Sequence, residues 1–167
     1  MTTEIGGTVV EFTGDMPQVG QEAPDFRYIK KDFSEGRLSE HRGENVMILC
    51  MPSLDTGTCA METRTFNKRA DELGATTLVV TMDLPFAMKR FCETEGIDKA
   101  HPASDFKYRE FGDQYHMVMQ NGPIAGVHAR AIYGVDKNGV IQYTQLVPSI
   151  GAEPDYDAAI AAIQAMN

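Results

Sequence analysis

The chain has 167 residues and a formal net charge of −9, enough for one domain with a real core. Its hydrophobic and charged fractions, 43% and 23%, are those of a soluble globular protein. The absence of a basic stripe argues against a nucleic-acid or anionic-membrane binder, and no apolar run approaches the roughly eighteen residues of a membrane span.

The cysteines, Cys50, Cys59 and Cys92, are too few and odd in number for a structural disulfide framework, though a transient or catalytic pair plus one bystander fits. No C-x-x-C occurs, and His41, His101, His116 and His128 do not fall at zinc-like spacing from the cysteines, so neither a metal nor a cofactor is expected. The start, MTTEIGGTVVEF, lacks a basic segment and an apolar h-region, which points to the cytoplasm.

In chain order, Thr8 to Phe12, the turn Thr13-Gly14-Asp15 and Met16 to Val19 predict an N-terminal β-hairpin within about residues 1–20 of a single 1–167 domain. Phe26 to Ile29 is a short strand. Asp32 to Asn45 reads as loop, with a turn of helix at Leu38 to His41. Val46 to Met51 is an apolar run typical of a buried strand. A loop with Pro52, Asp55, Thr56 and Gly57 breaks it, and a helix follows whose first residue is placed at Cys59. Thr63, Phe66, Ala70 and Leu73 share one face with Cys59 at helical spacing, and Gly74 is the stop.

Thr76 to Met82 is a β-branched buried strand. Asp83-Leu84-Pro85 opens a second helix, Asp83 as N-cap, that carries Phe86, Phe91 and Cys92 and ends before Gly96. Ala100 to Ser104 is extended, Phe106 to Tyr115 has helical spacing, and Val118 to Gly126 is loop. Asp136-Lys137-Asn138-Gly139 joins Ala129–Val135 and Val140–Val147 as a hairpin, and Pro154 opens a last helix over Asp155–Met166. The order β-α-β-α, insert, β-β-α predicts an α/β protein of the thioredoxin-like fold, a mixed central sheet covered by helices.

Three residues stand out against that background. Cys59 lies where a strand hands over to a helix. Unpaired N–H groups there can stabilise a thiolate, lowering a cysteine pKa from about 8.5 to as little as about 3.5–7.5. Thr56 can aim its hydroxyl at the sulfur or cap the helix, and Pro52 closes the other side of the loop. Cys92 lies on the next helix, where a bridge to Cys59 would close a loop worth about 4 kcal/mol. Arg130 sits between alanines in an apolar strand beside the one leading to Cys59, where a buried guanidinium needs an anion. The alternatives are a small buried apolar cysteine at 59, helix filler at 92 and a rim charge at 130. Cys50 reads as strand filler.

The segment PSLDTGTC, Pro52 to Cys59, resembles the Pro-x-x-x-Thr-x-x-Cys motif of the peroxiredoxins. With DLPFAMKRFC (Asp83 to Cys92), HARAIYGVD (His128 to Asp136) and LVPSIGAEPDYDAAI, the chain resembles the bacterial thiol peroxidases, atypical two-cysteine peroxiredoxins, over nearly its whole length. The resemblance implies Cys59 as peroxidatic cysteine, Cys92 as resolving cysteine, and Arg130, Thr56 and Pro52 as the activating shell. It also implies a homodimer, a hydroperoxide substrate and thioredoxin as reductant. Phe86, Phe91 and Met61 are core candidates that could instead line an apolar approach. Two rivals share the fold: a thiol–disulfide oxidoreductase, which would usually want C-x-x-C where Glu62 stands, and a non-catalytic binding domain.

Overall fold

A computed structural model describes all 167 residues. In chain order the elements are β1 (Glu4–Ile5), β2 (Thr8–Val9), β3 (Arg27–Ile29), β4 (Glu35–Arg37), a 3₁₀ turn (Leu38–His41), β5 (Val46–Cys50), α1 (Gly57–Lys68), α2 (Ala70–Leu73), β6 (Thr76–Thr81), α3 (Pro85–Glu95), β7 (His101–Ser104), α4 (Glu110–Tyr115), β8 (Ala131–Val135), β9 (Ile141–Leu146) and α5 (Tyr156–Gln164). Seven strands form one mixed sheet in the order β4-β3-β7-β6-β5-β8-β9, and β1 pairs with β2 in a small separate ribbon. The helical crossovers make β5, β6 and β7 parallel, while β8 runs antiparallel to β5 and β9 to β8. This is the thioredoxin-fold arrangement.

The period-two alternation of β5 divides the core. Val46, Ile48 and Cys50 face one layer with Tyr133, Phe111 and Tyr115. Met47, Leu49 and Met51 face the other, which holds Cys59, Cys92, Phe66, Phe91 and the inner face of α5. Both candidate redox cysteines therefore lie on one side of the sheet and Cys50 on the other, where its thiol donates to the Ala129 carbonyl at 3.4 Å.

Several expectations shift. The hairpin turns at Gly6 and Gly7, whose φ values of 55° and 83° suit a two-residue connection, so its arms are β1 and β2; Met16 to Val19 is not a strand. The stretch after Asp32 is only partly loop, because Glu35–Arg37 folds back on β3 as β4. The helix carrying Cys59 starts two residues earlier, at Gly57, and breaks at Arg69, so Leu73 belongs to a separate turn. Asp83 does not cap α3. Leu84 holds the N-cap position, and the Asp83 carboxylate is taken up by the Leu54 N–H and the Ser53 and Thr81 hydroxyls. Phe106 to Arg109 stays outside α4, because Arg109 adopts a left-handed φ of 59° and the Asp105 carboxylate receives the Phe111 and Gly112 N–H groups.

Candidate active site

The loop between β5 and α1 places Cys59. Its backbone N–H donates to the Thr56 hydroxyl at 3.2 Å, so Thr56 is the N-cap and Cys59 the third helical residue. Of the two uses open to the Thr56 side chain, capping is the one observed. Asp83 pins the preceding segment from below, accepting from Ser53 Oγ at 2.7 Å and from the Leu54 N–H at 2.8 Å. Pro52 is buried at the strand end. The Cys59 carbonyl accepts from the Thr63 hydroxyl at 2.9 Å, which fixes the next turn.

Arg130 closes the site from the β8 side. It is 1% exposed, which rules out the rim reading. Its Nη2 donates to the Cys59 sulfur at 3.2 Å and to the Ile150 carbonyl at 2.9 Å, and its Nη1 donates to Glu62 Oε2 at 2.6 Å. Burial works against the guanidinium, but attraction to Cys59 and Glu62 outweighs it and holds its pKa above the ordinary value. The cation is thus fixed by the Glu62 carboxylate and the Ile150 carbonyl and aimed at the sulfur. Cys59 itself is wholly covered, while Thr56 and Gly57 just before it are exposed.

Glu62 was missed as a site residue by the sequence reading. Its signal was available: three positions after Cys59 and four before Phe66, it shares their buried helix face. It is fully buried, its second oxygen Oε1 has no partner, and burial pushes its pKa up to about 7 against the pull of Arg130. The carboxyl therefore orients the guanidinium while neutralising it only in part. Asp83 was likewise misread, as a helix cap rather than the anchor of the loop.

Cys92 lies in α3, in the same core layer as Cys59. It is 4% exposed, and burial raises its pKa while Lys31 opposes the rise. All three cysteines are free thiols. Burial also raises the Cys50 pKa, which suits an inert thiol. Of the three side chains that were core candidates, Phe91 is buried, whereas Phe86 and Met61 are 69% and 45% exposed.

A thiol held at a helix start against a buried cation, with a second thiol behind it in the same layer, can break a weak polar bond and then form a disulfide. Comparisons with known proteins agree. The Redoxin family matches residues 18–160. A thiol peroxidase of Leptospira interrogans is 44% identical over 164 residues, 96% of each chain. A thiol peroxidase of Mycobacterium tuberculosis is 43% identical over 161 residues, 96% of this chain and 97% of its own. A solved peroxiredoxin-like protein from Aquifex aeolicus superposes with a TM-score of 0.94 at 38% identity, covering 99% of this chain and 97% of that one.

Proposed function

The chain belongs to the redoxin family and is a thiol-dependent peroxidase of the peroxiredoxin kind, and from that premise we propose that Cys59 is its peroxidatic nucleophile and Cys92 its resolving thiol. The observation that carries this assignment is the 3.2 Å contact from the Arg130 guanidinium to the Cys59 sulfur. Hydrogen peroxide and alkyl hydroperoxides are the substrates.

The Cys59 thiolate attacks the terminal peroxide oxygen. The S–O bond forms as the O–O bond breaks, and the departing hydroxide or alkoxide takes a proton to leave as water or alcohol. Arg130 supplies positive charge where negative charge moves off the sulfur onto oxygen, a use of a fixed donor in a water-poor site that is worth several kcal/mol. Thr56 and Pro52 hold the loop, so the sulfur stays at the helix start. Cys59 is now a sulfenic acid. The Cys92 thiol displaces its hydroxyl as water, giving a Cys59–Cys92 disulfide. Thioredoxin, a dithiol, returns two electrons and two protons by exchange. The active form is a homodimer in the cytoplasm, where a reducing thiol pool maintains the cycle.

Two substitutions test the roles. Cys59→Ser is expected to abolish peroxide consumption. Cys92→Ser is expected to consume one equivalent, accumulate the sulfenic acid and lose thioredoxin-supported turnover. Normal cycling of Cys92→Ser with thioredoxin overturns the resolving role. Sedimentation at micromolar concentration tests the dimer.

A further inference from the structure

Recycling requires a reductant sulfur to reach one of the two bridged sulfurs; both are buried here, Cys59 at 0% and Cys92 at 4% exposure, but they differ in what lies outside them. Cys59 is sealed. Cys92 instead lines an open groove of about 400 Å³ between the β3–β4 turn and α3, shared with Lys31, Phe33, Lys89 and Glu93.

Two features of this groove have no part in the peroxide step. The first is an exposed aromatic pair made by Phe33, which lines the groove, and Phe86, which packs on Phe33 from outside it. Phe33 and Phe86 meet edge to face at 4.9 Å and are 53% and 69% exposed. Phe33 is also held at a φ of 69°, a left-handed conformation that a bulky residue rarely adopts. The turn is locked by the Lys30 N–H to Ser34 carbonyl bond at 2.8 Å and by the Asp32 carboxylate, which accepts from the Ser34 N–H and hydroxyl. A ring carried on a strained turn and left in water fits the pattern of a binding hot spot. The second feature is charge. Lys31 and Lys89 flank Cys92 and take part in none of the ion pairs of the fold. Two carboxylates also line the groove: Asp32 is occupied by Ser34, and Glu93 is exposed beside Cys92.

Building on the assignment of Cys92 as resolving thiol, we propose that this groove is the docking face for the dithiol reductant. Apolar surface of the reductant rests on Phe33 and Phe86, and Lys31 and Lys89 draw its thiolate onto the Cys92 sulfur. The incoming thiolate forms a bond to Cys92 Sγ as the Cys59–Cys92 bond breaks. The electron pair leaves on Cys59, the sulfur to which the Arg130 guanidinium donates. The second reductant thiol then attacks the mixed disulfide, releasing Cys92 and the oxidised reductant. Lys31 thus serves the reducing half of the cycle as Arg130 serves the oxidising half.

The test uses the full chain, a bacterial thioredoxin with its reductase, and dithiothreitol. Phe33→Gly/Phe86→Ala is expected to raise the KM for thioredoxin about tenfold or more, with dithiothreitol turnover and one-equivalent peroxide oxidation within about twofold of wild type. Glycine relieves the left-handed turn, so folding is not the limit; an unchanged melting temperature checks this. Lys31→Gln/Lys89→Gln is expected to slow exchange with thioredoxin and leave peroxide oxidation unchanged. A thioredoxin whose second active-site cysteine is replaced by serine, mixed with the oxidised chain, is expected to be trapped on Cys92. Trapping on Cys59, an unchanged KM in the phenylalanine variant, or its conversion from dimer to monomer in sedimentation overturns the proposal. Failure of the wild type to consume one equivalent of peroxide would instead remove the peroxidatic reading on which it rests.

Discussion

Arg130 binds the site together, and its removal has two separable costs. With alanine there, the Cys59 sulfur loses its nearest cation. A fall of about 100-fold in kcat/KM for peroxide is expected, the range seen when one fixed donor is taken from a charge-stabilising site. The same change leaves Glu62 buried without its only partner, a loss of about 3–5 kcal/mol of stability that chemical denaturation would read. Glu62→Gln separates the two. In the unfolded chain Glu62 titrates at its ordinary 4.5, and burial pushes it up to about 7 in the fold. The folded state thus keeps a proton that the unfolded state has released. The stability this gives is complete below about pH 4.5 and is lost as the pH rises through about 7. Wild type is expected to melt progressively lower across that window, and Glu62→Gln to show a flatter profile. Parallel profiles would mean that Glu62 is ionised throughout.

The loop before α1 and the helix α3 carry the motion that chemistry demands. Asp83 holds the loop through Ser53, Leu54 and Thr81. Asp83→Ala strands those donors and is expected to cost about 1–3 kcal/mol and to slow the peroxide step as the helix start loosens; an unchanged rate would show that the cap at Thr56 suffices alone. Oxidation makes a stronger demand. A disulfide needs its two Cα atoms within about 7 Å, and here each cysteine sits in a helix with its own packing. The first turn of α1, the turns of α3 around Cys92, or both, are expected to open in the oxidised form. Hydrogen exchange should show faster amide exchange at residues 57–60 and 88–95 after one equivalent of peroxide. Identical exchange in the two forms would contradict this.

At the scale of the whole molecule, the strand–helix alternation from Val46 to Thr81 was legible because buried parallel strands read as continuous apolar runs, and the terminal hairpin because Asp136-Lys137-Asn138-Gly139 is a turn signal between two apolar stretches. So was the adjacency of β5 and β8, which brings Arg130 to Cys59. What escaped was long-range polar pairing. β4 is too short and polar to show periodicity, and Asp83 looked like a cap because its partners, Ser53 and Leu54, lie about thirty residues away in sequence. Glu62 was passed over because a glutamate in a helix is ordinarily solvated; only the guanidinium arriving from residue 130 gives it a reason to be buried. No helix of the chain is long and apolar enough to cross a membrane.

The central claim is that two particular sulfurs, with the third a bystander, carry the cycle. The most direct measurement is oxidation of the fully reduced chain with one equivalent of hydrogen peroxide, followed by thiol counting and mass mapping of the linked peptides. The account predicts the loss of two thiols per chain, a Cys59–Cys92 crosslink and an untouched Cys50. A persistent count of three free thiols, or a crosslink that includes Cys50, would contradict it.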